Sequence, residues 1–129
     1  MWLSEMKNLI ITVACLVITA TTAMSQDLKP ANKTQRKVVR LIEHLPEMVE
    51  DNRYMTKKGR PYITYIENLP GDLDNYYHVA VCEYNGVNLV PHHRFLVKAR
   101  TYAIFYLDFW NDDWKPIPLE VWRKRKTLK

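Results

Sequence analysis

The hydrophobic residues of this chain change their spacing near Arg60, and this change limits the fold more than any other feature. Between Val38 and Val49 the apolar residues recur at helical intervals, with charged residues between them. This is the pattern of an amphipathic helix that buries one stripe. From Arg60 onward the period changes to two, which is typical of strands. The sequence therefore predicts one helix followed by an antiparallel sheet.

The predicted helix has a clear start and a clear interruption. Asn32 is expected to cap its N-terminus, and Gln35, three residues later, completes a capping-box pattern. Pro46 interrupts the helical pattern. Because a proline ring costs about 3 kcal/mol in a helix interior, we expect a kink or break near residues 44–45. One further turn is then expected, to about Asp51.

The second half of the chain divides into four or five predicted strands. Their expected bounds are Tyr62 to Glu67, Tyr76 to Tyr84, Val87 to Lys98 with a disturbance at residues 91–93, Tyr102 to Phe109, and Ile117 to Arg123. The pair Asn85-Gly86 is the strongest turn signal among them, because it favours the tight turn of a β-hairpin. Pro116 and Pro118 indicate that the last strand lies at an edge of the sheet.

A helix packed on one side of a four- to five-stranded antiparallel meander is the α+β two-layer plan. In architecture this plan resembles cystatin-like and NTF2-like domains, and the resemblance is one of fold only. The Gln-x-Val-x-Gly signature of inhibitory cystatins is absent from the sequence. The resemblance therefore implies a fold and does not imply protease inhibition.

The aromatic residues indicate a binding surface, because a single helix covers only one face of a sheet. In the strand over residues 102–109, the set expected against the helix is Ala103, Phe105, Leu107 and Phe109. The opposite face would display Tyr102, Ile104 and Tyr106, with Arg94 or Lys98 nearby. Tyrosine and arginine are enriched at protein interfaces, so this face is predicted to bind a protein partner or a glycan. The alternative is that the tyrosines only stabilise the sheet through cross-strand pairs.

Residues 1–25 have the pattern of a secretory signal peptide. Lys7 supplies a positive flank, Leu9 to Ala20 is mostly apolar, and residues 23–25 offer the small-x-small pattern of a cleavage site. The apolar run is shorter than the roughly 20 residues that a membrane anchor needs. We therefore expect a mature protein that starts near Gln26 and is periplasmic, at the outer surface or secreted.

Two alternatives to simple cleavage remain open. Met6 rather than Met1 is a second candidate initiator, and Cys15 is a candidate lipid-attachment site if the segment is not cleaved near Ser25. Simple cleavage leaves a single domain, residues 26–129, whose only cysteine is Cys82 and which has no serine. Such a domain forms no internal disulfide, and we expect Cys82 to be buried in the core.

The positive charge of the chain is concentrated at its C-terminus. After removal of residues 1–25 the chain has 18 basic and 13 acidic residues, and five of the basic ones lie within residues 123–129. This basic tail is expected either to be a solvated terminus or to contact an anionic surface, through residues such as Arg123, Lys124, Arg125 and Lys126. Nucleic-acid binding needs a basic face along the fold, so we do not expect a nucleic acid as partner.

No residue cluster in the sequence predicts catalysis, a metal or a cofactor. His92 and His93 are adjacent, so they are expected on opposite faces of a strand. His78 and Cys82 lie four residues apart on a strand, a separation of about 13 Å from a rise of about 3.3 Å per residue. The sequence therefore predicts an exported, non-catalytic binding domain of the inhibitor or immunity type. The alternatives are a small-ligand pocket domain that uses His44, His78 or tyrosines, and a structural component of the cell envelope.

Overall fold

The computed structural model describes residues 28–109, 111 and 114–127. The predicted signal peptide, Cys15 and both candidate initiator methionines lie outside the described residues. Within them, no helix combines the length and apolar composition needed to cross a membrane.

Two helices open the described part of the chain, α1 over Lys33–Glu43 and α2 over Pro46–Lys57. The predicted cap is confirmed: Asn32 Oδ1 accepts a hydrogen bond from the Gln35 amide at 2.9 Å, and Gln35 Oε1 accepts one from the Ala31 amide at 2.8 Å. The predicted break is also confirmed. Pro46 begins α2. A backbone N–H at this first position has no intrahelical partner, so the N–H that proline lacks is not missed there.

The expected length of the second helical segment is wrong, because α2 continues past Asp51 to Lys57. Its buried residues Met48 and Met55 are seven positions apart, so they lie on one face of the helix and anchor both of its ends. A Schellman motif then ends the helix. The Arg60 amide bonds to Met55 O at 2.9 Å, and Gly59 has φ of +74°, the left-handed conformation that this motif requires.

The sheet has five strands in sequence order, each antiparallel to the next, so the predicted meander is confirmed. The strands are β1 (Tyr62–Asn68), β2 (Tyr76–Tyr84), β3 (Leu89–Lys98), β4 (Ile104–Leu107) and β5 (Pro116–Pro118). The predicted turn between β2 and β3 is present: Asn85 Oδ1 accepts the amides of Val87 and Asn88, and Gly86 has φ of +93°.

A β-bulge lies where the sequence predicts a disturbance in β3. Val81 pairs with His93, whereas the next residue, Cys82, pairs with Pro91, so His92 has no partner in the ladder. The extra residue breaks the alternation of the strand. As a result the rings of His92 and His93 both lie near Tyr62, at centroid distances of 5.4 and 6.3 Å. The expectation that the two histidines lie on opposite faces is therefore wrong.

The expected last strand over Ile117 to Arg123 is also wrong. The strand ends at Pro118, and a third helix, α3, runs from Leu119 to Thr127. Leucine, glutamate, arginine and lysine dominate this segment, and they are strong helix formers. Trp122 fixes the helix on the sheet, where its ring stacks on Tyr106 with centroids 4.3 Å apart. The basic tail is therefore helical as far as it is described.

The core lies between the sheet and the three described helices, which all pack on the same sheet face. It combines apolar side chains of the helices with those of the covered strand face: Val38, Ile42, Leu45, Met48, Val79, Val81, Phe95, Val97, Tyr106, Ile117 and Trp122. We call this side of the sheet the covered face. Because Val79, Phe95 and Val97 are fully buried, side chains fill the space between helices and sheet.

The predicted orientation of β4 is wrong. Tyr106 is 7% exposed and belongs to the core, and Tyr102 and Ile104 pack against it. Residues of the other parity, Phe105 and Leu107, therefore face the opposite side. Both sets are apolar or aromatic, so hydrophobicity alone does not distinguish them. The turn before β4, with positive φ at Arg100 and Tyr102, starts the strand two residues later than expected.

Candidate functional site

The sheet face opposite the described helices carries most of the partly exposed aromatic side chains. Alternation along the strands, together with the contacts given below, assigns it Tyr65, Glu67, Tyr76, Tyr84, Arg94 and Phe105. Phe109 and Trp114, from the connection between β4 and β5, join this set through their contacts with Arg94. We call these eight residues the aromatic face.

Small side chains form the floor of the aromatic face. Ala80, Cys82 and Leu96 are at most 3% exposed, although no described helix lies over them. Tyr65, on the same face, is hydrogen-bonded to Cys82 and covers that part of the floor. Burial raises the pKa of the Cys82 thiol and raises that of Tyr65 to about 12. The expected burial of Cys82 is confirmed, and its thiol is a poor nucleophile.

Arg94 is the centre of the aromatic face. Its Nε and Nη2 donate to the two carboxylate oxygens of Glu67 at 3.1 and 3.3 Å. Its guanidinium carbon lies 5.3 Å from the ring centroid of Phe109 and 5.5 Å from that of Trp114, and these two rings stack 5.6 Å apart. Trp114 is 56% exposed. The guanidinium is therefore fixed by an ion pair and two rings, while one ring remains accessible.

The predicted binding residues are divided between the two faces. Arg94 and Lys98 share one parity in β3 and lie on the aromatic face, whereas Tyr102 and Tyr106 belong to the covered face. The expectation that Phe109 faces the helix is wrong, because its ring contacts Arg94 on the aromatic face. Trp114, which also flanks Arg94, was not predicted, because the loop that carries it has no periodic pattern. A cluster of aromatic residues close to a predicted strand end was the only available signal.

The predicted basic residues of the tail all lie on α3. Arg123 is paired with Glu47 of α2 and with Glu120, and the hydrogen bond from Arg123 lowers the pKa of Glu47 despite its partial burial. Lys126 lies 4.8 Å from the ring centroid of Trp122, while Lys124 and Arg125 are exposed. Arg123 therefore holds α3 on the fold, and the exposed charge lies beyond it.

A cleft of about 440 Å³ lies on the covered side of the sheet, between α2 and the bulge in β3. We call it the histidine cleft. Its lining residues are Asp51, Tyr54, Met55, Lys58, Arg60, Tyr62, Glu83, His92 and His93. The bulge brings both histidines to one side, and the Schellman motif at the end of α2 places Arg60 beside Glu83, with 3.0 Å between Nη1 and Oε1.

Each histidine of the cleft is paired with a carboxylate. His93 Nε2 lies 3.1 Å from Asp51 Oδ2, and its Nδ1 lies 3.1 Å from the Tyr106 hydroxyl. Burial lowers the pKa of His93 and outweighs the attraction of Asp51. His92 Nε2 lies 2.8 Å from Glu83 Oε2. Hydrogen bonds from His92 and Arg60 lower the pKa of Glu83, so Glu83 is a carboxylate that accepts a hydrogen bond from each.

The other two histidines lie apart from this cleft. His78 Nε2 is 2.9 Å from Asp74 Oδ2, and His44, at the break between α1 and α2, lines a separate cleft of about 260 Å³. Among the residues that the structure describes, no group of three or more histidine, cysteine, aspartate or glutamate side chains is arranged to hold a metal ion. Comparison of the chain with protein-family models, curated proteins and solved structures gave no match.

Proposed function

We propose that this protein is an exported, non-catalytic binding domain that holds a protein partner against its aromatic face. The observation that carries the proposal is the cluster of Arg94 with Phe109 and Trp114 on a sheet face that no described helix covers. Aromatic residues and arginine are enriched at the energetic centres of protein interfaces. A role of the inhibitor or immunity type, in which one protein masks another, fits this chemistry.

The fixed position of Arg94 supports a role in binding. A free arginine side chain loses rotamer freedom when it is ordered in an interface, at a cost of about 0.5–1.5 kcal/mol. Glu67 and the two rings already hold Arg94 in one orientation, so much of this ordering precedes association. Trp114, which is exposed beside it, offers a large apolar surface with few rotatable bonds.

A protein fits this surface better than a small ligand or a glycan. Sites for small ligands are concave and enclose most of the ligand surface, whereas the aromatic face is the broad side of a sheet. Its exposed and half-buried rings beside one arginine match the enrichment of aromatic residues and arginine in protein interfaces. A glycan that stacks on Trp114 alone is the competing outcome.

Two further elements belong to the proposal. Export rests on the signal pattern of residues 1–25, and N-terminal sequencing of the mature protein tests it: a start near Gln26 supports export, and a start at Met1 or Met6 contradicts it. A cystatin-like or NTF2-like architecture is supported by the helical layer on one side of a five-stranded meander.

Photo-crosslinking in the native host tests the proposed surface. A photoreactive phenylalanine analogue at position 114 is compared with the same analogue at position 54, because Tyr54 is also exposed but lies on α2. We expect one discrete protein adduct from position 114 and none from position 54. Equal adducts from both positions would contradict the assignment to the aromatic face. A glycan adduct at position 114 would contradict the choice of a protein.

A further inference from the structure

The two neighbouring histidines of the histidine cleft differ in their remaining hydrogen-bonding capacity. His93 uses both ring nitrogens, and its side chain is 14% exposed. His92 uses only Nε2, its side chain is 34% exposed, and its Nδ1 makes no hydrogen bond to a described residue. Both rings lie beside the same bulge, but His93 acts as a structural link, whereas His92 Nδ1 is not used by any described residue.

The other polar groups of the cleft are mainly donors. Arg60 uses Nη1 to bond Glu83, while its side chain is 59% exposed and its remaining N–H groups have no described partner. Lys58 Nζ lies 4.4 Å from the ring centroid of Tyr54, and the Tyr62 hydroxyl makes no hydrogen bond to a described residue. The carboxylates of the cleft are already paired with the two imidazoles. Apart from His92 Nδ1, which is an acceptor when Nε2 donates to Glu83, the unused capacity of these described groups is cationic and donating, which favours an anion.

The end of α2 does not oppose an anion strongly, although the C-terminus of a helix carries partial negative charge. Met55 O accepts the amides of Lys58 and Arg60, and Thr56 O accepts that of Gly59. These bonds satisfy two of the terminal carbonyl groups. The same turn provides both cationic side chains, one at each side of Gly59.

We propose that the histidine cleft binds a small organic carboxylate that carries an apolar ring. Arg60 and Lys58 hold the carboxylate, with the Tyr62 hydroxyl as a further donor, and the ring packs on Tyr54 and Met55 beside His92. The volume of about 440 Å³ lies within the roughly 300–1,000 Å³ of ordinary small-molecule sites. This site is on the opposite side of the sheet from the proposed partner surface and does not depend on it.

Titration of the full-length mature protein with benzoate, followed by NMR of the histidine rings, tests this proposal. We expect saturable shifts of the His92 resonances, with little change at His78, which lies on the other side of the sheet. Benzyl alcohol has the same ring without the charge, and inorganic phosphate has charge without a ring. Benzoate should bind more tightly than either. Equal affinity for benzyl alcohol or for phosphate, or no saturable shift at His92, would overturn the proposal.

Two charge variants and one control assign the site. Lys58→Gln and Arg60→Gln should each weaken benzoate binding by about tenfold, because each removes a charge-assisted hydrogen bond. Lys57→Gln removes the same charge one residue away, outside the cleft lining, and should leave the affinity unchanged. Lys58 has no carboxylate partner in the described structure, so its variant is expected to fold even if the loss of Arg60 perturbs Glu83. An equal loss with Lys57→Gln, or no loss with Lys58→Gln, would overturn the proposed site.

Discussion

The two faces of this sheet exclude water by different means. On the covered face, residues such as Phe95 and Val97 are buried under three helices. On the aromatic face, Leu96 and Cys82 are nearly as buried, but no described helix lies over them, and the described groups of this face are rings and one ion pair. The difference indicates that the covered face determines stability, whereas the aromatic face is the surface that we propose for a partner.

The largest expected effect is on the covered face, where Phe95 is fully buried in contact with the rings of Tyr106 and Trp122. Phe95→Ala removes these contacts and leaves a cavity that helices on one side and strands on the other cannot easily fill. We expect a loss of about 3–5 kcal/mol in the free energy of unfolding, measured by urea denaturation. A loss below about 1 kcal/mol would mean that the covered face is not the stabilising one.

Leu96, the neighbour of Phe95 on the other side of the sheet, provides the matched comparison. It is 3% exposed, but no described helix lies over it, so we expect neighbouring side chains to move into the space. Leu96→Ala should therefore cost about 2 kcal/mol, the lower end of the usual range for leucine truncation. A cost equal to that of Phe95→Ala would contradict the distinction between the two faces.

Acid should weaken the covered face first. The folded pKa of His93 is below its ordinary value because of burial, so in mildly acidic solution the unfolded chain binds a proton more readily than the folded chain does. The contribution of His93 to the free energy of unfolding is therefore fully present above about pH 6.5. It is lost as the pH falls through the folded pKa. The groups facing His93 are Asp51 of α2, His92 and Tyr106 of the sheet, Tyr62, and Lys126 of α3.

His93→Gln removes this ionisation and provides the measurement. In urea denaturation between about pH 7 and pH 5, the wild type should lose stability and His93→Gln should show a flatter dependence. His78→Gln, on the aromatic side, serves as the control and should retain the wild-type slope. If His78→Gln flattens the pH dependence of stability and His93→Gln does not, the acid sensitivity does not come from the covered face.

The parts of the fold that could be predicted have strong local signals. Asn32 with Gln35, Pro46, and Asn85-Gly86 each fix a backbone conformation through their own chemistry, so their positions followed from the sequence. The length of α2 had such a signal too. Gly59 followed by Pro61 is a typical helix end, and this signal predicts a helix that continues beyond Asp51.

The parts that could not be predicted depend on tertiary packing. Ile104 and Phe105 are both suitable core residues, and only the packing of α3 determines which parity of β4 is buried. The bulge at His92 is a tertiary feature as well, and without it the two histidines would be placed on opposite faces. The aromatic face was therefore expected from the plan of the fold, but its residues could not be assigned correctly.

Trp114 gives the most direct test of the central claim, that the aromatic face binds a partner and contributes little to stability. The measurement is the affinity of Trp114→Ala for the partner identified by crosslinking, together with its free energy of unfolding. We expect binding to weaken by at least about tenfold, the loss of an interface hot spot, while stability changes by less than about 0.5 kcal/mol. Tyr54→Ala should change neither. Unchanged affinity in Trp114→Ala, in a protein that remains folded, would contradict the claim.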